Sequence, residues 1–491
     1  LGRASTLTDL GVAIKASPAV MQASAAISAL PQSSTGILAD VIESFSEATG
    51  DPDIDLPDWL RCGAPLGIER EITHRGVFPL AKDDPIFPDR WNLVTELAPD
   101  WSNYKSEQAP DTCQEILDKM TTQGWARSFT SMDDIIAELG SAPVINNIGL
   151  ISKEKPDGTM KHRIVWDMSA SGVNGVICAT ERIVLPRAVD MVQDIVDVSS
   201  SGEVELFGID IADAFHQVPL HAAERRYTVA AFRGVYYLFV VLVFGSRSAP
   251  TVWGRFAAWL GRSIALLSNP RFLRRQVYVD DPLFVLAGPL AIRRRQLLRA
   301  LIWTTIVGFP IAWNKADTGD IVKWIGIKWQ ITDGHLALLL TDEKVVEIRA
   351  LLEGVAHIQA IPLGRIRRLA GILSFLATAT PVLKPFIDPL WGEIKRTTSR
   401  RGPHRMFIAR RRVRHCLGWL AALLVAGGDP PQARFRLGPS MPRRRVVWVT
   451  DASPWGLGGI QVVQFLVQFL VIICSCVHLP VYTCGHYFGN H

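Results

Sequence analysis

Two short stretches with strand periodicity stand out in the middle of the chain. From Val204 onward, Val204, Leu206, Gly208 and Asp210 fall on one side of a period-two strand, and Phe207, Ile209 and Ile211 on the other. Seventy residues after Asp210, the run Gln276-Val277-Tyr278-Val279 leads into Asp280-Asp281, and Leu283-Phe284-Val285-Leu286 leads out. That order predicts a strand, a tight turn and a returning strand. Beyond about residue 330 the period becomes helical. Val345, Ile348, Leu351, Leu352 and Val355 make one apolar stripe, with Asp342 and Glu343 in the first turn, where the helix dipole favours anions. Pro362 starts a second helix with the stripe Ile366, Leu369, Ile372, Leu373 and Leu376, which leaves Arg365, Arg367 and Arg368 outside it. Helical spacing also marks residues 111–139 (Ile116, Met120, Ile135, Ile136, Leu139). The apolar run from Cys416 to Ala426 is too short to span a bilayer and is read as a core helix. Residues 1–60 begin with a stretch rich in Ala, Ser and Thr and are read as a low-complexity leader, weakly helical or disordered.

The carboxylates within these apolar runs need an explanation. An Asp in the middle of an apolar strand is costly to bury unless it is paired or metal-bound. Two adjacent carboxylates at a hairpin tip repel each other unless something positive sits between them. Hard cations such as Mg²⁺ take oxygen ligands and commonly bridge carboxylates to phosphates. If Asp210, Asp280 and Asp281 converge on one sheet, they can hold two ions about 3.5–4 Å apart, the arrangement that clamps both oxygens of an in-line displacement. The plainer alternative is that each Asp merely ends a strand or makes a turn, with its charge in solvent.

Six blocks of sequence decide between these readings. The stretch around Asp210 resembles motif A of reverse transcriptases, and Tyr278-Val279-Asp280-Asp281 resembles their motif C. Phe244-Gly245-Ser246-Arg247-Ser248-Ala249-Pro250 resembles motif B of Gypsy-like (LTR-type) and related retrotransposons. Residues 153–174 resemble the fingers segment, Gly308-Phe309 with Lys315 resembles motif D, and Trp324-Ile325-Gly326-Ile327 resembles the motif E hairpin. The blocks occur in the family's order between about residues 145 and 330.

The resemblance implies an α+β, right-hand polymerase. Fingers and an antiparallel-sheet palm would occupy 141–332, after a helical or loop extension at 61–140, and thumb and connection helices would occupy 333–440. It implies that Asp210, Asp280 and Asp281 bind two Mg²⁺ or Mn²⁺ ions. Phe215 would lie under the sugar and leave no room for a ribose 2′-OH. Asp213 would bring its backbone amide near the triphosphate. Arg163, Lys153 and Lys161 would hold that triphosphate, a task suited to the guanidinium fork. Gly245 would let backbone approach substrate or template closely, and Lys315 would give a proton to the leaving pyrophosphate. One departure is Pro282, where the family more often has an aliphatic residue. The implied function is RNA-directed DNA polymerase of a retrotransposon, adding dNTPs to a primer on an RNA or DNA template. The alternative is a catalytically silent nucleic-acid-binding relic.

Residues 441–460 resemble the first strand of a retroelement ribonuclease H, with Asp451 as its first carboxylate. No Asp or Glu follows Asp451, so no ribonuclease H activity is expected. Residues 461–491 read as an aberrant apolar tail in which Val463–Val467 is repeated as Val467–Val471. The stretch 460–479 is uncharged and long enough for a membrane span, but its glutamines and missing basic anchor weigh against one, and no membrane attachment is expected. The tail's Cys474, Cys476, His478, Cys484 and His486 match no zinc-finger spacing. Asp317-Thr318-Gly319 spells the aspartic-protease triplet but follows Trp313-Asn314-Lys315-Ala316 rather than an apolar strand, and is read as coincidence.

Composition adds little beyond this. The net charge of +5 is mild, but arginine clusters at 293–295, 365–368, 410–412 and 443–445 all lie in the second half. They suit phosphate contacts or solvated helix faces. Seven scattered cysteines and no signal-peptide pattern suggest an intracellular, reducing location. Leu1 in place of Met fits a piece cut from a longer polyprotein. Oligomeric state is left open.

Overall fold

The structure, a computed structural model, describes residues 7–18, 20–22, 36–81, 103, 109–154, 158–377, 383–399, 406–424, 433–438, 447–453, 456–463 and 466–472. The chain divides into two units, Leu1–Leu437 and Gly438–His491.

The first unit opens with helices that include α1 (Leu7–Lys15), α2 (Ala39–Thr49) and α3 (Leu56–Cys62). Ile14, Ile37, Ile42, Leu56, Trp59 and Leu60 are buried in its main core. The described parts of residues 1–60 thus include helices that pack on this core. Their small residues separate apolar side chains that recur at helical spacing, and those side chains outweigh the low-complexity composition. Next come α4 (Pro110–Thr122), β1 (Ala126–Phe129) and α5 (Met132–Leu139), the last capped by the Ser131 hydroxyl, which accepts from the Asp134 N–H. Strands β2 (Ile145–Glu154) and β3 (Met160–Asp167) form a long hairpin, followed by α6 (Val173–Val176) and α7 (Ala188–Ser199). Strands β4 (Val204–Gly208), β5 (Val229–Phe232) and β6 (Val235–Phe239) lead to the long helix α8 (Ala249–Leu267). The hairpin of β7 (Leu273–Tyr278) and β8 (Asp281–Ala287) precedes α9 (Leu290–Ile306) and the short β9 (Asp317–Gly319).

Two sheets result. One has the order β1-β6-β5-β2-β3 and is antiparallel except where β2 meets β5. The other has the order β7-β8-β4-β9 and is antiparallel throughout. Asp317-Thr318-Gly319 is the edge strand of this second sheet, paired with Gly208, Phe207 and Leu206.

A third sheet contains β10 (Ile321–Trp324), β11 (Ile327–Thr332) and β12 (His335–Leu340). Helices α10 (Asp342–Ala356), α11 (Leu363–Leu376), α12 (Lys384–Thr398) and α13 (Arg414–Leu424) follow. Between them, β13 (Ala360–Pro362) pairs with β14 (Phe407–Ala409), and β15 (Ala433–Arg436) returns to β12. The helices share a separate core built on Ile348, Leu352, Ile366, Leu369, Leu373 and Leu420. Those positions agree with the apolar stripes of the sequence.

Buried ionic groups hold the N-terminal part in place. Arg255, fully buried in α8, pairs with Asp53 and Asp55 and lies 4.3 Å over the Trp59 ring. The buried Glu224 carboxylate accepts the backbone N–H groups of Leu66, Ile68, Glu69 and Arg70. Arg293, the first of the 293–295 cluster, is also structural: it pairs with Glu203 and Glu205 and donates to the Gly288 carbonyl.

The second unit contains an antiparallel meander of β16 (Val447–Ser453), β17 (Gly456–Val463) and β18 (Leu466–Ile472). Strand β18, which carries the second copy of the near-repeat, pairs with β17, with Gln461 opposite Gln468 and Val462 opposite Val467. The rest of the tail, including Cys474, Cys476, His478, Cys484 and His486, lies outside the described residues, as do Arg443–Arg445. Among the described residues no helix is long and apolar enough to cross a membrane.

Candidate active site

Sheet register brings the three aspartates of the two central motifs together. Gly208 of β4 stands opposite Leu283 of β8. Past that pair, the Ile209 N–H donates to the Pro282 carbonyl at 3.0 Å and the Ile211 N–H to the Asp280 carbonyl at 2.7 Å. Asp210 therefore leaves the strand end beside the Asp280-Asp281 turn. Pro282 has no N–H to give back, but its carbonyl still joins the ladder.

The hairpin tip is strained and held in place. Tyr278 and Asp281 close the turn, and Val279 takes a left-handed backbone (φ 57°). Two-residue hairpins ask for positive φ, but a β-branched residue resists it, at about 1–3 kcal/mol. Two indoles support the tip: Trp253 Nε1–H donates to the Val279 carbonyl at 2.8 Å, and Trp324 Nε1–H to the Asp281 carbonyl at 2.9 Å.

The electrostatics follow from this crowding. Burial, with the Asp210 charge beside it, raises the pKa of Asp280 above the usual carboxylate value. Burial and the charges of Asp280 and Asp210 push Asp281 up to about 6. The opposing charges of Lys315 and, at Asp280, Arg163 do not offset this. Lys315 leaves a short 3₁₀ turn (Trp313–Lys315), and its Nζ pairs with Asp210 Oδ1. The Ala312 N–H donates to the Asp210 carbonyl at 2.8 Å, so strand and turn are joined through backbone as well.

The other sequence-derived residues divide into near and far. Arg163 on β3 lies 5.8 Å from the Phe244 ring centre, within reach of Asp280's field. Lys161 is two residues further along the same face of the hairpin and Lys153 is directly opposite it; both are exposed. They extend a basic stripe away from the aspartates rather than joining them. Asp213 is left-handed (φ 50°) and starts the 3₁₀ turn that presents Phe215. Phe215 packs on Phe244, with ring centres 4.9 Å apart. Gly245 has φ 115°, and a Cβ there would meet the Trp166 carbonyl oxygen at 2.0 Å, so only glycine fits. Asp451 lies on β16, opposite Gly458, in the other unit.

Two supports of this site have roles that the sequence does not assign, although Asn174 closes the segment resembling the fingers. Asn174 clamps the Gly245 loop with both ends of its amide, donating to the Gly245 carbonyl at 2.9 Å and accepting the Arg247 N–H at 2.8 Å. His216 is buried, stacked 4.3 Å from the Trp125 ring and edge-on to Phe244. Neither of its nitrogens has a hydrogen-bond partner, and burial lowers its pKa to about 4, so it acts as a neutral aromatic spacer. A histidine between Phe215 and Gln217 carries no such signal in the sequence.

The donor set suits a hard cation. All three groups are carboxylates, and the raised values at Asp280 and Asp281 are what a divalent ion would reverse. As placed, among the described residues no three His, Cys, Asp or Glu side chains are grouped tightly enough to hold a metal, and the Lys315 ammonium covers Asp210. The fit lies in chemistry and charge, not in a formed cage.

No family model matches the chain, and no curated protein does. Among solved structures it is similar to the foamy viral protease-reverse transcriptase dRH in complex with ds DNA, at 16% identity and TM-score 0.49 over 77% of this chain and 57% of that one. It is also similar to the same kind of protein with an RNA/DNA hybrid, at 16% identity and TM-score 0.48 over 78% and 46%. A third, with dsDNA, has 17% identity and TM-score 0.49 over 80% and 70%. The chain thus spans 57% and 46% of the first two solved chains.

Proposed function

We propose that the chain is a template-directed nucleotidyltransferase of the retrotransposon reverse-transcriptase kind, adding dNTPs to a primer 3′-OH. The observation that carries this reading is the convergence of Asp210, Asp280 and Asp281, from motifs seventy residues apart, at one end of an antiparallel sheet. Their shared charge, with Arg163 and Lys315 as the cations that reach it, suits a polyanionic substrate.

Bound Mg²⁺ or Mn²⁺, as two ions, would lower the pKa of the primer hydroxyl and neutralise charge developing on the phosphates. Asp210, Asp280 and Asp281 would hold the ions. Arg163 would clamp the triphosphate, with Lys161 and Lys153 further out along the hairpin. Phe215, backed by Phe244, would exclude a ribose 2′-OH. Gly245, held by Asn174, would present backbone to the substrate or template strand. Lys315 would release Asp210 when the ions bind and serve as proton donor to pyrophosphate. Template and primer would be gripped through backbone and shape.

The test is dNTP incorporation by the full chain on an RNA template with a DNA primer, with Mg²⁺ or Mn²⁺ and with EDTA. The reading requires metal-dependent extension. Template–primer binding without extension by the folded protein would instead support the silent relic.

A further inference from the structure

The turn that carries Lys315 is held from two sides. On the sheet side, the Ala312 N–H donates to the Asp210 carbonyl at 2.8 Å and the Ala212 N–H to the Pro310 carbonyl at 2.7 Å. On the opposite side is the N-terminal segment. The Leu38 N–H donates to the Val307 carbonyl at 2.9 Å. Gly11 of α1 lies flat against the Trp313 indole, so closely that a Cβ on Gly11 would stand 2.5 Å from Trp313 Cγ. Any side chain at position 11 must displace the ring. The helix has little freedom to yield, because Ile14 is fully buried and Leu7 and Leu10 pack on the same core.

Trp313 and Lys315 share one three-residue turn, closed by the Lys315 N–H donating to the Ala312 carbonyl at 2.9 Å. The Lys315 side chain is 49% exposed, so packing does not aim it and the turn must. We infer that α1 is a positioning element of the active centre: the seat of Trp313 on Gly11 fixes the turn from which Lys315 reaches Asp210. This rests on the polymerase reading for its catalytic consequence, though not for its geometry.

The experiment compares the full chain with Gly11→Leu and with Gly11→Leu/Trp313→Ala, after melting curves establish that each is folded. Two quantities are read: the reactivity of the Lys315 amine toward acetic anhydride, resolved by mass spectrometry, and single-turnover dNTP incorporation. Gly11→Leu should raise Lys315 labelling several-fold and lower kcat about tenfold, because a small displacement of a reacting group is costly. KM should stay within about twofold, since ground-state binding is untouched. Trp313→Ala in the same chain, which removes the seat itself, should leave Lys315 labelling raised and kcat lowered, and Gly11→Leu should cost nothing further in a Lys315→Ala background. Unchanged labelling and kcat in folded Gly11→Leu overturn the inference, and so does an equal loss of kcat in the Lys315→Ala background. If the parent chain extends no primer, the polymerase reading fails by itself, and labelling alone decides the positional claim: a rise upholds it, no change overturns it.

Discussion

The indole N–H of Trp253 donates to the carbonyl oxygen of Val279 at 2.8 Å, tying a buried helix to the tip of the hairpin that carries Asp280 and Asp281. The bond restrains a valine in a conformation it would not choose alone. Trp253→Phe keeps an aromatic ring, though a smaller one, and removes the donor. It should cost about 1–3 kcal/mol, the usual penalty for a stranded buried acceptor. Incorporation should fall much further than the melting temperature suggests, because the strain relaxes at the aspartates. Parallel melts and single-turnover rates check this, and equal, modest effects on both would count against it.

The pKa shifts give a pH prediction with a definite sign. Asp281 titrates at about 6 in the folded chain, above the ordinary value near 3.9 that it regains on unfolding. Its contribution to stability is therefore fully present below about pH 4 and is lost as pH rises through 6. Asp281→Asn should flatten that slope and, in EDTA, melt higher than the parent at pH 7.5. Mg²⁺ should raise the melting temperature of the parent at pH 7.5, by binding the folded state alone, and should act weakly on the variant. Equal Mg²⁺ shifts in both chains would remove these residues from the metal site.

Phe215 is supported on one side by Phe244, 4.9 Å away. Phe215→Val should open the space beside the sugar and improve ribonucleotide use relative to dNTP by about tenfold or more, without greatly lowering dNTP incorporation. Competition between the two nucleotides on one template measures the ratio. An unchanged ratio would mean that another residue excludes the 2′-OH.

The N-terminal residues should matter to folding. Arg255→Met leaves Asp53 buried without its partner, which should cost about 3–5 kcal/mol, visible as a large drop in denaturation midpoint. A loss below about 1 kcal/mol would mean that the segment around Asp53 is not docked as described.

Much of the site was legible because its residues break a pattern. Asp210 interrupts an apolar strand, and Asp280-Asp281 interrupts the apolar tip of a hairpin, between Val277-Tyr278-Val279 and Leu283-Phe284-Val285. Helices α10 and α11 announce themselves by stripes whose apolar members, Ile348, Leu352, Ile366 and Leu369 among them, are buried. What stayed hidden depends on tertiary partners. Arg255 looks like a surface charge until Asp53, some two hundred residues away, meets it. Glu224 is an ordinary acid until four backbone N–H groups converge on it. Helix α1 reads as low-complexity leader because Gly11 matters only when Trp313 lies on it. The left-handed turn at Val279 is invisible because the usual Asn-Gly signal is absent.

The most direct measurement is single-nucleotide incorporation by the full chain on an RNA template with a DNA primer, with Mg²⁺ or Mn²⁺, beside Asp280→Asn/Asp281→Asn. The account predicts metal-dependent extension by the parent and none by the variant, with both binding template–primer. Equal extension by the two chains, or none from a folded, template-binding parent, would contradict it.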